Sequence, residues 1–197
     1  MNNPVWTPSQ KQIDRSQMTK FIKYVNLSHH LSLKNYDDLY SWSIQDIPSF
    51  WETVWKFCEV KYSTPYSEIV DDTSKMPGAK WFTGSQLNYA ENLLRFKDSK
   101  PAIIFKGENQ NPSILTYHDL NEEVKKVAYA LRNMGIVKGD RVAGFIPNMP
   151  EAVIAMLASA SIGAIWSSSS PDFGIKGVLD RFAQIEPKVL FAADGYF

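Results

Sequence analysis

The strongest candidate for chemistry in this sequence is a run of four serines, Ser167–Ser170, followed by Pro171 and Asp172. An apolar stretch, Ala164–Trp166, precedes the run and favours a buried strand, and a helical pattern follows Gly174. Open α/β sheets place ligands at the carboxyl ends of parallel strands, and a helix N-terminus attracts anions. Hydroxyl and backbone N–H groups in such a loop are suited to hold a phosphate group. The alternative is a turn whose serines only cap the next helix, and the residue types leave both open.

Other nucleotide-binding and catalytic motifs are absent from the sequence. No G-x-G-x-x-G, G-x-S-x-G or Cys-x-x-Cys motif occurs, and the histidines do not stand at metal-ligand spacing. Gly139 and Gly144 have the spacing of a P-loop, but Phe145 stands where its lysine is required. We therefore predict no catalytic residue and no metal ligand within the 197 residues.

The elements that position the serine run follow a β-α-β-α-β order. After a strand at 114–117, apolar residues recur at helical spacing from 120 to 134, and residues 141–146 are typical of a buried strand. Pro150 is suited to open a second helix, which ends before the strand at 164–166. This order predicts parallel strands joined by right-handed crossovers.

The predicted fold class is α/β, with a partial doubly wound parallel sheet, an N-terminal helical layer and a short hairpin. The hairpin is predicted from apolar stretches at 101–106 and 114–117, which are separated by a polar turn at 109–113. The expected role of the helical layer is to pack on the α/β unit.

An aromatic stripe is the main feature of the N-terminal half. Phe50, Trp51, Val54, Trp55 and Cys58 fall on one wide face of a predicted helix. This face predicts core packing, with both tryptophans in the core and the cysteine as a small buried side chain. A cradle for a planar cofactor is the alternative interpretation.

Composition and charge narrow the function classes. Lys plus Arg and Asp plus Glu both total 21, so the net charge is zero and does not favour nucleic acid or an anionic membrane as a partner. Hydrophobic residues make up 44%, which is typical of a globular protein. Cys58 is the only cysteine, and the N-terminus lacks a basic and apolar leader, so we expect a cytoplasmic protein.

Many short motifs in one order give the chain a resemblance to a known family. Leu115–Leu120 resembles the first core motif of the adenylate-forming acyl-CoA synthetase superfamily. Three further segments continue this likeness, namely Gly135–Ala143, Pro147–Glu151 and Ser161–Ala164. Upstream segments resemble the extra N-terminal segment of acetyl-CoA synthetase relatives, namely Tyr36–Leu39, Trp42–Ser43, Phe50–Trp51, Trp81–Phe82, Leu87–Asn88 and Glu91–Asn92. Within that branch, Ala164–Ser168 followed by Ser170–Gly174 is most similar to enzymes that activate acetoacetate.

The resemblance implies a two-step ligase with acetoacetate, ATP, Mg²⁺ and CoA as its small-molecule partners. An acyl adenylate forms with loss of pyrophosphate, and the CoA thiol then displaces AMP. The resemblance also implies that Ser169, Ser170, Pro171, Asp172, Phe173 and Gly174 lie beside the CoA nucleotide. Acetyl-CoA synthetases carry glycines where this chain has Pro171 and Asp172, and Asp172 as a cap of the following helix is the alternative.

Several motifs of the family do not occur in these residues. The Gly/Ser/Thr-rich phosphate loop, the adenine and ribose motifs and the catalytic lysine are all missing from the sequence. We therefore expect the N-terminal portion of a longer ligase, inactive by itself and without tight binding of ATP, Mg²⁺ or CoA. The expected division is an arm with a helix at 1–35, an acetyl-CoA synthetase-type segment at 36–95 and the first part of an AMP-binding domain at 96–197.

Two other functions stay open at this point. One is a stand-alone nucleotide-binding module of flavodoxin-like type, and the other is a structural or regulatory domain without a ligand. Calorimetry distinguishes the module, because it would bind a nucleotide without any further domain.

Overall fold

The computed structural model describes residues 4–108 and 111–195, and the chain divides into two compact units. The first unit extends to Gln86 and the second begins at Leu87. Asn109 and Gln110 of the predicted hairpin turn lie outside the described residues, as does the end of the predicted AMP-binding part, 196–197.

The described part of the first unit consists of helices followed by a small two-stranded ribbon. Its elements are α1 (Gln10–Arg15), α2 (Gln17–His29), α3 (Tyr36–Gln45), α4 (Ile47–Phe57), β1 (Glu68–Val70) and β2 (Trp81–Thr83). Polar side chains define where three helices begin, because Ser16, Asn35 and Asp46 each accept a hydrogen bond from the backbone N–H three residues later. The two strands pair in antiparallel orientation.

Aromatic rings form the core of the first unit. The ring centroid of Phe21 lies 6.0 Å from that of Phe50 and 5.0 Å from that of Phe57. Val25 and Leu39 are buried in the same cluster. The predicted core packing of the aromatic stripe is therefore confirmed for Phe50.

Two other residues of the stripe differ from the prediction. Trp51 is 43% exposed, and Cys58 is exposed as well. The reason is geometric, since successive side chains on a helix are about 100° apart and Phe50 and Trp51 cannot both face one core. Trp55 is half-buried, with its ring centroid 4.5 Å from that of Phe82 on the ribbon.

The second unit contains the hairpin and the α/β elements. They are α5 (Tyr89–Leu93), β3 (Pro101–Phe105), β4 (Ser113–Thr116), α6 (Tyr117–Asn133), β5 (Arg141–Phe145), α7 (Pro150–Ser161), β6 (Ile165–Ser169), a 3₁₀ helix (Pro171–Phe173), α8 (Gly174–Ile185) and β7 (Val189–Ala192). Strands β3 and β4 form the predicted antiparallel hairpin. Across residues 4–108 and 111–195, no helix combines the length and apolar character needed to span a membrane.

Three described strands form a parallel sheet in the order β6-β5-β7. The chain passes from β5 through α7 to one neighbour, and then through α8 to the neighbour on the other side of β5, which is the doubly wound arrangement. Both faces of β5 are covered, because Val142 packs in the core that includes α6 and α7, whereas Ala143 packs against Val178 and Phe182 of α8. The α/β class and the partial doubly wound sheet are confirmed.

Asp140 connects the segments that precede two neighbouring strands. Its carboxylate accepts a hydrogen bond from the N–H of Val137 at 2.9 Å and forms an ion pair with Nζ of Lys188 at 2.7 Å. The side chain is buried, since Asp140 is only 7% exposed. The Lys188 ammonium group, followed by the Val137 N–H, lowers the pKa of this carboxyl.

We expect Trp55→Ala to destabilise the first unit by about 3 kcal/mol, because the change removes ring contacts with Phe82 and Tyr66. The matched change Trp51→Ala, on the exposed side of the same helix, is expected to cost about 1 kcal/mol. Denaturant unfolding followed by far-UV circular dichroism measures both values. Equal losses for the two variants would contradict the packing described for Trp55.

We expect Asp140→Asn to lower the melting temperature at neutral pH. Because the folded-state pKa of Asp140 is lowered, its contribution to stability is present above the ordinary Asp pKa of about 3.9 and is lost as the pH falls through the folded value. The difference in melting temperature between Asp140→Asn and the parent protein should therefore become smaller below about pH 4. Asp180→Asn, which changes an exposed carboxylate, is the control. A difference that does not vary with pH would contradict the ion-pair explanation.

Candidate functional site

The predicted site residues form the connection between β6 and α8. Ser169 is the last residue of β6 and lies opposite Phe145 of β5 in parallel register. Pro171–Phe173 form a 3₁₀ turn, and α8 begins at Gly174, whose φ of +64° lies in the region that favours glycine. The predicted residues Ser169–Gly174 thus lie together, between the carboxyl end of a strand and the N-terminus of a helix.

The serines of the run have different environments. Ser167 and Ser168 belong to β6 itself and are not loop residues. Ser169 is only 6% exposed, and its Oγ has no hydrogen-bond partner within residues 4–108 and 111–195. By register it shares the face of the sheet with Phe145, which packs in the cluster under α8. Buried hydroxyl groups without a partner are uncommon in folded proteins.

Ser170 caps the 3₁₀ turn. Its Oγ accepts a hydrogen bond from the N–H of Asp172 at 3.4 Å and donates one to Oδ2 of the same residue at 2.8 Å. The N-cap position of α8 belongs to Phe173, whose side chain has no acceptor. Capping by serine therefore occurs at the 3₁₀ turn, while the first N–H groups of α8 donate no hydrogen bond to their N-cap side chain.

An aromatic ring and a guanidinium group lie next to this loop. The Cζ atom of Arg181 is 3.8 Å from the ring centroid of Phe173, which is a close cation–π contact. Phe173 is 54% exposed and Arg181 is exposed, so the pair lies on the surface. Gly177 lies between them on the helix, where an added Cβ would be 3.6 Å from both Nη1 of Arg181 and Cβ of Phe173. The absence of a side chain at 177 leaves the pair uncovered.

The charges at this end of α8 favour an anion on the helix side of the loop. The first turn of α8 contains no acidic residue, and its N–H groups carry the positive end of the helix dipole. Lys176 and Arg181 add two cationic side chains to α8 and Asp180 adds one anionic side chain, whereas Asp172 places a carboxylate on the 3₁₀ turn. A phosphate group is therefore better accommodated beside Arg181 than over the turn.

A separate cavity lies elsewhere in the second unit, and its lining carries acidic side chains. It has a volume of about 720 Å³ and is bounded by the β3-β4 hairpin and the beginnings of α6 and α7. Its lining includes the carboxylates of Asp119, Glu123 and Glu151 and none of the predicted site residues. Such a lining disfavours an anionic nucleotide. In the part of the chain that the structure describes, no group of three or more His, Cys, Asp or Glu side chains is placed to hold a metal ion.

Arg181 is the residue at this site that the sequence analysis missed. The spacing contained the information, because positions 173, 177 and 181 recur every four residues and fall on one side of a helix. A glycine between an aromatic and an arginine at this spacing indicates that the two larger side chains can meet.

Two family models match successive parts of the chain. The family described as AMP-binding enzyme matches residues 90–196. The family described as acetyl-coenzyme A synthetase N-terminus matches residues 36–93.

Individual relatives are similar over almost the whole chain. The acetoacetyl-CoA synthetase of Macaca fascicularis is 47% identical over 193 residues, which are 96% of this chain and 28% of the relative. The acetoacetyl-coenzyme A synthetase of Rhizobium meliloti is 44% identical over 98% of this chain and 30% of its own length. A malonamoyl-CoA synthetase of Penicillium aethiopicum is 42% identical over 89% of this chain and 25% of its own length.

A solved structure shows the same fold. The acetoacetyl-CoA synthetase from Streptomyces lividans superposes with a TM-score of 0.90 at 40% identity, covering 98% of this chain and 30% of that one. The chain thus spans about 28% of the length of the vertebrate relatives that it matches. Because the match to the AMP-binding enzymes takes in more than half of the 197 residues, the chain belongs to that family.

Proposed function

We propose that these residues form the N-terminal portion of an AMP-forming acetoacetate–CoA ligase. The reaction joins acetoacetate and CoA to acetoacetyl-CoA, and ATP is converted to AMP and pyrophosphate. One observation supports this proposal above the others, namely that acetoacetyl-CoA synthetases share 44% to 47% identity with nearly the whole chain. The proposed division assigns 1–35 to an N-terminal arm, 36–95 to the acetyl-CoA synthetase-type segment and 96–197 to the beginning of the AMP-binding domain.

We propose further that the loop Ser169–Gly174 serves the CoA side of this reaction. Its position after a parallel strand and before a helix N-terminus is suited to a phosphate-bearing ligand. Pro171 has no N–H to donate and Asp172 is negatively charged, so the turn itself is not suited to surround a phosphate group. Contacts through Ser170 and through the α8 side of the loop are more favourable.

The groups expected to bind ATP and Mg²⁺ in such a ligase are not found among the described residues. The sequence lacks the phosphate loop and the catalytic lysine expected for the adenylation step, and no metal-holding cluster occurs in 4–108 or 111–195. We propose, from the resemblance, that another part of the ligase binds ATP, Mg²⁺ and acetoacetate. The role of this portion is to supply the first strands of the sheet and one side of the CoA site.

A stand-alone nucleotide-binding module is the second candidate. The doubly wound order creates a crevice between the carboxyl ends of β5 and β7, where such sheets often bind ligands. The two candidates differ in a simple measurement, since the module binds a nucleotide as the isolated chain and the ligase portion does not.

We expect the 197-residue chain alone to catalyse no adenylation. Purified chain is incubated with acetoacetate, ATP and Mg²⁺, and release of pyrophosphate is measured against a blank. The expected rate equals the blank, because the phosphate loop and lysine are missing. Pyrophosphate release that persists after removal of any contaminating full-length enzyme would contradict the proposal.

We expect Ser170→Phe in the full-length protein to raise the KM for CoA about tenfold or more while the rate of adenylate formation stays near normal. A bulky ring at this position fills the space beside the loop and removes the Ser170 hydrogen bonds to Asp172. Ser32→Phe, at an exposed position in the first unit, is the control and should change neither parameter. A loss of adenylation with an unchanged KM for CoA would assign the loop to the other half-reaction.

A further inference from the structure

We propose that Arg181, held flat against the ring of Phe173, binds a phosphate group in the nucleotide portion of CoA and so selects CoA over thiols that lack it. The inference rests on the proposed function for the identity of the ligand. The inference adds to the proposed function a residue outside the serine loop, and it gives that residue a defined chemical role.

The contact with Phe173 fixes the orientation of the guanidinium group. With Cζ 3.8 Å from the ring centroid, the guanidinium group of Arg181 lies over the aromatic ring, and arginine commonly stacks its planar group on such a ring. The N–H donors of a guanidinium group lie in its plane, so a stacked arginine directs them sideways along the surface. This arrangement leaves a planar fork that matches two oxygens of a phosphate group.

The charge of Arg181 is not neutralised within the described chain. The ion pairs in residues 4–108 and 111–195 all involve lysines, among them Lys188 with Asp140, and none includes Arg181. The side chain is exposed, and it contacts the uncharged ring of Phe173. A structural role would more often pair an arginine with a carboxylate, whereas a binding role keeps the cation available.

A second, independent observation comes from Ser169. Its hydroxyl is more than nine-tenths buried and has no hydrogen-bond partner in the described residues, although it lies at the start of the same loop. Leaving a buried hydroxyl unpaired destabilises a protein. We infer that a polar group from outside the described residues completes this loop in the working protein.

The position of Asp172 decides which side of the loop the anion occupies. Its carboxylate lies on the 3₁₀ turn, where Oδ2 accepts a hydrogen bond from Ser170. Repulsion disfavours a phosphate group over the turn, whereas Arg181, Lys176 and the N-terminus of α8 attract one on the other side. The ligand is therefore expected beside α8, where Gly177 leaves the Phe173–Arg181 pair uncovered.

The test uses Arg181→Gln in the full-length protein that contains these residues. The KM is measured for CoA and for pantetheine, which has the same thiol but no nucleotide. Binding of adenosine 3′,5′-bisphosphate, the nucleotide end of CoA, is measured by calorimetry, and adenylate formation is measured as ATP–pyrophosphate exchange. Phe173→Leu keeps an apolar side chain but removes the ring, and Arg132→Gln, on the exposed surface of α6, is the matched control.

We expect Arg181→Gln to raise the KM for CoA about tenfold or more and to weaken bisphosphate binding by a similar factor, as the loss of a charge-assisted hydrogen bond does. The KM for pantetheine and the adenylation rate should not change. Phe173→Leu should act in the same direction with a smaller effect, and Arg132→Gln should match the parent.

Two results would overturn the inference. One is an unchanged KM for CoA in Arg181→Gln, and the other is an equal rise for CoA and pantetheine, which would show that the cation–π pair only stabilises the loop. Failure of the proposed function gives a different result. In that case the parent protein forms no acetoacetyl adenylate. If that parent still bound the bisphosphate in an Arg181-dependent manner, the phosphate site would stand without the ligase. Absence of both properties would reject both proposals.

Discussion

The arrangement of the second unit depends on the burial of β5 on both faces. Val142 and Ala143 are consecutive residues with no exposed surface, and they contact opposite layers of helix. Gly144 extends this constraint to the neighbouring strand, because a Cβ at this position would lie 2.7 Å from the indole ring of Trp166. A side chain at position 144 would therefore force the Trp166 ring to move, whereas glycine lets the ring pack against β5.

Much of this arrangement could be predicted from local sequence. The second unit follows its periodicity closely, since Pro150 opens α7 and the helix after the serine run begins at Gly174 as expected. The first unit was harder to predict, because hydrophobicity alone does not show which side of an aromatic helix faces the core. Trp51 is exposed for that reason, while Trp55 packs against a ribbon whose strands have only three residues each. His29, the last residue of α2, shows the same limit, because its Nε2 lies 2.7 Å from Oγ1 of Thr53, a residue of another helix.

Some features of the site can be predicted from sequence motifs, and others depend on the tertiary structure. The position of the serine loop follows from strand and helix order, and its connection with CoA remains a proposal based on resemblance. The burial of Ser169 and the contact between Phe173 and Arg181 depend on the tertiary packing of α8. No motif describes an arginine that lies across an aromatic ring two helical turns away, although the four-residue spacing through Gly177 permits it.

The most direct test of the central claim is product analysis of the full-length protein that contains these residues. The protein is incubated with acetoacetate, ATP, Mg²⁺ and CoA, and all nucleotide and acyl products are quantified by mass spectrometry. We predict AMP, pyrophosphate and acetoacetyl-CoA in equal amounts, and acetoacetyl adenylate bound to the enzyme when CoA is omitted. Formation of ADP in place of AMP, or nucleotide binding without any acyl-CoA product, would contradict it.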